Sequence, residues 1–415
     1  MKFKELHPNI KFRMIDAFMS SAVYNMMLPF LAIYFAGEFG IANAGILLSI
    51  YFASGIISSL LGGHISDEYG RRKTLIICGS IRLVSLGIIV LSNSTLFHSA
   101  EISFVMFVII NATAGISVPT NQAMLLDVST LEERKEIFSI EYWTLNTALF
   151  LGSVIGGYFF EDYKFYVFLL CFFISSVSLF IVVYFIKESI PKTSMTMDGV
   201  SKSKSPLSKL AQNLSIVKRN KAFLLIVLAS FLILSVETQA KNYFGVNLSE
   251  LIESQTLIGG ISLSGTQMYG FLRAENALLI MLLSLSVAKW VKNMNGMHLL
   301  IIGISLNVLG YMLLVINFNY SILFIAMLIA TLGEMLYWPI KKTYLSEYIP
   351  ENNKGAFLAI NGLVGRGAAM TGSFSLIIGA FLNHYYIAMI LLVYGLLGTL
   401  VFIKVVSNKR MLREV

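Results

Sequence analysis

The stretch Gly63-His-Ile-Ser-Asp67-Glu-Tyr-Gly70-Arg71-Arg72-Lys73 lies between two long apolar runs of the chain. Gly63 lets two helices approach closely, and Gly70 permits a tight turn between them. Asp67 can cap a helix N-terminus or pair with a nearby cation. A helix needs about 20 mostly apolar residues to cross about 30 Å of hydrocarbon, and each flanking run is that long. The pattern therefore predicts two membrane-spanning helices joined by a charged turn.

The composition of the whole chain agrees with a membrane setting. Of the 415 residues, 56% are hydrophobic and only 13% are charged, and the mean hydropathy is +0.76. Soluble domains carry about 25% charged residues. These values exclude a soluble enzyme, a disordered chain and a secreted disulfide scaffold. Cys78 and Cys171 both lie in apolar runs, so neither a disulfide nor a metal framework is expected.

Long apolar runs recur along the entire sequence. Twelve of them are predicted, over residues 14–36, 44–66, 74–95, 103–126, 138–160, 165–186, 222–246, 274–292, 299–317, 322–341, 355–382 and 386–404. Because hydrocarbon offers no hydrogen bonds to the backbone, such runs must be helices. We therefore predict an all-α membrane protein with twelve transmembrane helices.

The basic residues give the orientation of these helices. If both termini are cytoplasmic, 26 of the 31 Lys and Arg residues fall on the inner face, as the positive-inside rule requires. Lys164 and Arg273 fall outside, and three basic residues fall within spans: Arg82, Lys241 and Arg366. The net charge of +8 is thus a topology signal, and no nucleic-acid partner is expected. The first apolar run is long enough to span, and no cleavable signal is predicted.

A hydrophilic stretch divides the spans six and six. Residues 188–221 are rich in Ser, Lys and Thr and are predicted to form a cytoplasmic linker that is solvated or touches anionic lipid. The halves echo each other, since Pro119-x7-Asp127 ends span four and Pro339-x7-Glu347 ends span ten. The predicted domains are the six-helix bundles 1–187 and 222–415, joined by that linker.

The charged stretch at 63–73 resembles the signature loop of the major facilitator superfamily, G-x-x-x-D-x-x-G-R-[RK]. The resemblance extends over essentially the whole chain and implies a pseudo-symmetric pair of helix bundles that work as a transporter. It also implies that this loop is a cytoplasmic gate, formed here by Gly63, Asp67, Gly70, Arg71, Arg72 and Asp127. The alternative is that Asp67 and Arg71 merely cap helices.

Several further stretches resemble the drug/proton antiporters of that superfamily, in particular the lactococcal multidrug transporter type. They are Ala123-Met-Leu-Leu-Asp127 with Glu132-Glu-Arg-Lys135, Glu141-Tyr-Trp143, Thr331-Leu-Gly-Glu334 with Pro339, and Asn361-Gly362. The chain departs from that pattern at Asn111, near a common arginine position, and at Gly152-Ser153, where a proline is missing. Lys241 stands where that type has an acid.

Ionisable residues deep in the spans are candidates for function, because a charge at the bilayer centre costs at least about 2.5 kcal/mol. Glu334 lies about 18 Å into span ten at 1.5 Å per residue, and it is the first candidate for binding a proton or a cationic substrate. Arg366 is expected to pair with an acid such as Glu334 or with an anionic substrate. Glu237 and Lys241 stand at i,i+4 and either neutralise each other or separate during transport.

The remaining candidates lie nearer the ends of spans or in aromatic and methionine-rich stretches. The resemblance adds Asp127 and Glu141 to Glu334 and Glu237 as proton-coupling residues. Arg13 and Asp16 are predicted to form an exposed pair, and Arg82 to snorkel or to support the structure. The outer segment 247–273 is expected to be a lid or a partial helix. The predicted substrate lining comprises Tyr24, Asn25, Met26, Trp143, Asn146, Tyr337, Trp338, Glu237, Lys241, Glu334 and Arg366, against the alternative of ordinary helix packing.

These features favour a secondary active transporter of the cell membrane that couples proton entry to efflux of amphipathic or cationic small molecules. The alternative is a dedicated exporter or symporter of one metabolite, for example an anionic compound, siderophore, sugar or peptide. A membrane enzyme or receptor is disfavoured, because the sequence has no GxSxG, HExxH or phosphate-loop motif. No cofactor is expected. The expected partners are a small-molecule substrate, protons and membrane lipid, and the expected state is a monomer.

Overall fold

The computed structural model describes residues 8–189, 214–218, 220–256, 260, 262–291, 294–350 and 354–407. This part of the chain is nearly all helical. It divides into two compact units, Met1–Phe30 with Ile50–Ser208, and Leu31–Ser49 with Lys209–Val415. The predicted linker 188–221 lies largely outside the described residues, so the predicted domain boundary stays a prediction.

Five helices occupy the first part of the chain. They are α1 (Pro8–Phe39), α2 (Ile41–Tyr69), α3 (Arg71–Ser92), α4 (Ala100–Asp127) and α5 (Leu131–Tyr184). The Ser99 side chain caps α4 by accepting from the Ile102 amide, and Thr130 and Glu133 form a capping box at the start of α5. A packed apolar cluster of Ile10, Met14, Leu125 and Ile137 joins α1, α4 and α5.

Helix α5 is far too long for one membrane crossing. Its 54 residues would extend about 80 Å if straight, against a hydrocarbon thickness of about 30 Å. Tyr163 has non-helical dihedral angles, φ −125° and ψ 31°, and marks a kink. This residue falls between the predicted spans 138–160 and 165–186, so the structure bends the chain where the sequence predicts a turn.

Six helices follow in the second part of the chain. They are α6 (Lys221–Leu251), α7 (Gly265–Val291), α8 (Gly296–Ile316), α9 (Tyr320–Glu347), α10 (Lys354–Gly379) and α11 (His384–Ser407). Asparagine caps three of them, because the side-chain oxygens of Asn220, Asn295 and Asn319 accept amide hydrogens at the starts of α6, α8 and α9. Two short strands, β1 (Gln255–Thr256) and β2 (Ser262–Leu263), pair antiparallel between α6 and α7.

Helices α8 and α9 approach each other closely at glycine. A Cβ added to Gly333 would lie 2.4 Å from the Asn307 amide nitrogen and 2.5 Å from the Gly303 carbonyl oxygen. Distances this short between an added Cβ and the backbone of α8 leave no room for a side chain at Gly333. This packing fixes the height and rotation of the next residue in α9, Glu334, because small residues let membrane helices pack backbone to backbone.

Within the described residues, nine helices are long and apolar enough to cross a membrane. The count of twelve spans and the cytoplasmic position of both termini stay predictions. The predicted echo between spans four and ten has a structural counterpart, since α4 and α9 each contain 28 residues, contain a proline and end at Asp127 and Glu347.

The helices on either side of the predicted outer segment 247–273 extend into it, since α6 continues to Leu251 and α7 begins at Gly265. Helix α7 begins at Gly265 rather than near residue 274, so Arg273 lies inside a helix and not on an outer loop. The segment between α6 and α7 is shorter than the predicted 247–273 and contains the β1–β2 hairpin. The Tyr320 amide donates to Gln255 Oε1 and its hydroxyl to the Leu263 carbonyl, so this hairpin is tied to the start of α9.

Candidate functional site

Ionisable and aromatic side chains from four helices of the second unit converge in one region, here called the charge cluster. Its members are Glu237 and Lys241 on α6, Arg273 and Asn276 on α7, Tyr311 on α8, and Glu334, Tyr337, Trp338 and Lys341 on α9. These residues are distant in sequence. Helix packing within the unit brings these side chains close enough to interact electrostatically.

Glu334 is held by a hydrogen-bonded amide. Asn276 Nδ2 donates to Glu334 Oε2 at 3.3 Å and to Thr331 Oγ1 at 2.9 Å, and the Thr331 hydroxyl donates to the Met327 carbonyl at 2.7 Å. The carboxyl also interacts electrostatically with Glu237, Lys241 and Lys341. The sequence analysis missed Asn276, because a single asparagine in an apolar run carries no distinctive spacing. The predicted pairing of Glu334 with Arg366 stays a prediction.

Glu237 and Lys241 form the ion pair that their i,i+4 spacing predicts. The Lys241 ammonium donates to Glu237 Oε1, and the side chains of Lys241 and Glu237 are 17% and 16% exposed, respectively. Lys241 Nζ also lies 6.0 Å from the centre of the Tyr311 ring. The carboxylate of Glu237 is further influenced by Arg273 and Lys341.

Lys341 is the most important correction to the sequence analysis. The positive-inside count assigned it to the cytoplasmic face as the last residue of the predicted span 322–341, and the structure shows that it is buried within α9 with 5% exposure. Its ammonium lies 4.0 Å from the ring centre of Trp338 and 5.5 Å from that of Tyr337. The signal was present, because residues 334, 337, 338 and 341 share one face of a helix.

The charge cluster carries unequal numbers of positive and negative groups. Lys241, Arg273 and Lys341 face the two carboxyls of Glu237 and Glu334. Each buried charge needs a partner or a bound counter-ion to offset its lost hydration. With all five side chains ionised, the cluster carries one more positive charge than negative charges.

A second charged network lies in the first unit and corrects the predicted exposed pair. Arg13 Nη1 contacts Asp16 Oδ2 at 2.8 Å, but their side chains are only 2% and 6% exposed. The Ser178 hydroxyl donates to Asp16 Oδ1 at 2.6 Å. Arg82 donates to Ser178 at 3.1 Å and to Ser20 at 3.0 Å. Arg82 is therefore anchored by α1 and α5 and does not snorkel to the surface.

Glu141, predicted for proton coupling, lies at the edge of this second network. It is partly buried near the start of α5 and interacts electrostatically with Arg13. The network thus joins residues from α1, α3 and α5. It uses two arginines and two acids, so its formal charges balance.

The signature loop forms a compact set of ionic contacts. Gly70 has φ +92°, which a residue with a side chain rarely adopts. Arg71 Nε contacts Asp127 Oδ2 at 2.6 Å, and its Nη1 contacts Asp67 Oδ1 at 3.2 Å. The link from Arg71 to Asp127, implied by the family resemblance, is present. Gly63 lies within α2, and nothing of its packing is described.

Two residues missed by the sequence analysis complete this loop. The Glu188 carboxylate accepts the backbone amides of Arg71 and Arg72 at 3.1 and 3.0 Å, so it caps α3 in place of Asp67. The Ser189 hydroxyl donates to Asp127 Oδ2 at 2.7 Å. Arg72 also reaches across to donate to the Val183 carbonyl at 2.6 Å.

The predicted substrate lining is split by the structure. Tyr24 and Trp143 are exposed at 41% and 49%, whereas Asn25 and Met26 are buried against the glycines of α5. A Cβ on Gly152 would meet Asn25 Cβ at 2.9 Å, and one on Gly156 would meet the Met26 carbonyl at 2.6 Å. Asn25 and Met26 are therefore buried where α1 and α5 pack closely, and their assignment to the substrate lining stays a prediction.

The other predicted lining residues have different surroundings. Tyr337 and Trp338 belong to the charge cluster, as do Glu237, Lys241 and Glu334. Asn146 is partly buried and donates to the Tyr142 carbonyl at 2.8 Å, which is a contact within its own helix. Arg366 is partly buried in α10, beside glycines.

The helical architecture and the buried ion clusters are those of a multi-pass membrane transport protein. The sequence profile of the Major Facilitator Superfamily matches residues 14–373. The chain belongs to this superfamily. It is accordingly a transport protein of the cell membrane and not an enzyme.

Relatives of known sequence include transporters at low identity. The chain is 27% identical over 370 residues to a "Na(+), Li(+), K(+)/H(+) antiporter" of Planococcus maritimus, covering 88% of this chain and 87% of that protein. It is 25% identical over 413 residues to the uncharacterized MFS-type transporter YttB of Bacillus subtilis strain 168, covering 97% and 96%. Quinolone resistance protein NorA of Staphylococcus aureus strain MRSA252 is 27% identical over 138 residues, 33% of this chain and 34% of that protein.

Solved structures share the fold. A POT family transporter in complex with a thioalcohol-conjugated peptide superposes with a TM-score of 0.74 at 17% identity, covering 97% of this chain and 96% of the other. A mutant form of the nucleoside transporter NupG gives a TM-score of 0.71 at 12% identity, covering 96% and 99%. At such identities the likeness concerns the fold alone.

Proposed function

We propose that the protein is a proton-coupled antiporter that expels small cationic molecules by alternating access. The observation that carries this proposal is the position of Glu334 in the middle of α9, hydrogen-bonded to Asn276 and close to the Glu237–Lys241 ion pair. A carboxyl in that place binds either a proton or a cation, because both neutralise the same buried charge. Competition between the two is the basis of exchange.

The proposed cargo is an amphipathic organic cation, and two observations support this proposal. One is the similarity over 88% of this chain to a Na(+), Li(+), K(+)/H(+) antiporter, which supports cation exchange, and the other is the similarity over 33% of this chain to a quinolone resistance protein, which supports an organic cargo. The aromatic faces of Tyr337 and Trp338 beside the glutamates suit an organic cation. A second candidate is the export of one anionic metabolite, which the excess of cationic side chains in the charge cluster favours.

The proposal includes an architecture and a gate. We propose twelve transmembrane helices in a monomer, with α5 forming two of them on either side of Tyr163, and both termini in the cytoplasm. Arg71, held between Asp67 and Asp127, is the proposed cytoplasmic gate, whose ion pairs break when the transporter changes state. Glu141 and Asp127 are proposed to lie on the proton path.

The test uses everted membrane vesicles from cells that express the protein. Adding a lipophilic cationic dye to vesicles with an acidified lumen should release protons from the lumen as dye accumulates. Glu334→Gln should abolish this exchange while the protein remains folded in the membrane, because glutamine cannot take up or release the proton. Glu347→Gln is the matched control, since Glu347 ends the same helix and is exposed.

Two results would contradict the proposal. Undiminished proton-driven exchange in Glu334→Gln would remove Glu334 from the coupling mechanism. Proton exchange driven by an anionic metabolite, with no response to any lipophilic or alkali-metal cation, would establish the second candidate instead.

A further inference from the structure

The surroundings of Lys341 resemble a binding site for an ammonium ion. Its Nζ lies 4.0 Å from the Trp338 ring centre and 5.5 Å from the Tyr337 ring centre, and the residue is 5% exposed. Aromatic faces attract cations, and the attraction is stronger when the cation is desolvated. These rings thus compensate part of the hydration that the ammonium loses.

Carboxylates supply the rest of that compensation. Glu237 and Glu334 both interact electrostatically with Lys341, from α6 and from α9. Two aromatic faces and two acids are the chemical requirements for recognising a protonated amine. Lys341 of α9 therefore supplies the ammonium group that the surrounding rings and carboxylates are suited to bind.

Two buried hydroxyls in the same cluster point to a polar ligand. Tyr311 and Tyr337 are at most 1% exposed, and within the described residues their hydroxyl oxygens have no hydrogen-bond partner. A buried hydroxyl without a partner is unfavourable, because it has lost its hydrogen bonds to water. Both tyrosines interact electrostatically with Glu237 and Glu334, so their hydroxyls are near the carboxyls that would hold a cargo cation.

We propose that the Lys341 ammonium is an internal occupant of the cargo site and that the cargo is a protonated primary amine which takes its place. This inference rests on the proposed export of cations and narrows the substrate class. The lysine would leave the rings of Tyr337 and Trp338 when cargo enters, so that the glutamates exchange one ammonium for another. Glu237 keeps its ion pair with Lys241, and Glu334 always has one ammonium nearby.

Removal of the Lys341 ammonium should change the binding affinity in opposite directions for cationic and anionic cargo. An amine cargo would bind more tightly to a variant without the lysine, because its internal competitor is gone. An anionic cargo would bind more weakly, because a cation that attracts it is lost. The sign of the change therefore distinguishes a competitor from a direct ligand.

The experiment measures binding to purified protein in detergent, without an ion gradient. Trp143→Phe and Trp290→Phe leave Trp338 as the only tryptophan of the chain, and its fluorescence reports on the ring beside Lys341. Lys341→Met and Lys341→Ala are each titrated with n-butylammonium chloride, n-butyrate and sodium chloride. Size-exclusion chromatography checks that each variant is folded.

Either folded variant should bind n-butylammonium about tenfold more tightly than the parent protein, a factor that corresponds to about 1.4 kcal/mol. Lys341→Arg should show no such gain, because the guanidinium keeps the charge. Lys342→Met is the matched control. Lys342 Nζ lies 5.3 Å from the same Trp338 ring, but its side chain is exposed.

The inference is overturned if Lys341→Met and Lys341→Ala bind n-butylammonium no better than Lys342→Met, or if sodium ions produce the same gain. Tighter binding of n-butyrate in these variants would also overturn it. The binding assay needs no transport, so a failure of proton antiport in vesicles is separate from a failure of this inference.

Discussion

Asp16 links two arginine side chains inside the first unit. It contacts Arg13 directly at 2.8 Å and reaches Arg82 through the Ser178 hydroxyl. Arg13 is 2% exposed, so its guanidinium depends on this carboxylate for compensation. A buried charge that loses its partner destabilises a protein by about 3–5 kcal/mol.

Asp16→Asn should therefore lower the free energy of unfolding by about 3 kcal/mol, because it removes the carboxylate in direct contact with the buried Arg13 and leaves Glu141 as the remaining acid of the network. Thermal unfolding of the purified protein in detergent measures the change. Glu68→Gln is the control, since Glu68 is 57% exposed in its pair with His64, and exposed pairs contribute about 0–1 kcal/mol. Equal losses of thermal stability in the two variants would mean that the buried network contributes no more to stability than the exposed pair does.

At the scale of the helix, Gly333 decides where Glu334 stands. A side chain at Gly333 would collide with the backbone of α8 at Asn307 and Gly303. Backbone atoms cannot rotate away, so α9 would have to shift or turn. The proposed proton site at Glu334 therefore depends on this packing as well as on the carboxyl itself.

Gly333→Ala should lower the free energy of unfolding by about 1–3 kcal/mol, the usual cost of overpacking, and should reduce proton-coupled dye exchange in vesicles. Gly362→Ala should neither lower the free energy of unfolding nor reduce dye exchange, because a Cβ at Gly362 would have no atom within 4 Å among the described residues and alanine favours a helix more than glycine does. Both variants add one methyl group to a helix of the second unit. Wild-type behaviour of Gly333→Ala in both assays would show that the helices have room to separate.

The distribution of basic residues is expected to set the orientation of the protein across the membrane. Arg273 lies inside a helix, and Lys341 and Arg13 are buried, so these three are removed from the count of basic residues outside the spans. Most of the Lys and Arg residues of the sequence still fall on the predicted inner face. The positive-inside rule counts residues near the ends of spans. The orientation with both termini inside therefore does not depend on the corrected residues.

Cysteine labelling in intact cells tests this orientation. Thr95→Cys, in the segment between α3 and α4, should react with a membrane-impermeant maleimide added outside the cell. Ser346→Cys, near the end of α9, should react only after the membrane is permeabilised. The parent protein serves as the unlabelled control, because Cys78 and Cys171 are both buried. The reverse labelling pattern would invert the proposed topology.

The structure agrees with those predictions that follow from local patterns. Apolar length predicted helices throughout the chain, and the residues around 163 were predicted as a turn where α5 bends. The i,i+4 spacing predicted the Glu237–Lys241 pair. Each is local, since a helix satisfies its own backbone and neighbours on one face are fixed by 3.6 residues per turn.

The sequence by itself determined a helical membrane protein and its charged turn at Gly70, and it singled out Glu237 and Glu334 as candidates. Only the tertiary structure decided which helices meet, and hence that Asn276, Tyr311 and Lys341 lie with Glu334. A lysine near the end of an apolar run is equally suited to headgroups or to a buried carboxylate. Its place depends on the partners that other helices supply, and a pattern within one helix does not contain them.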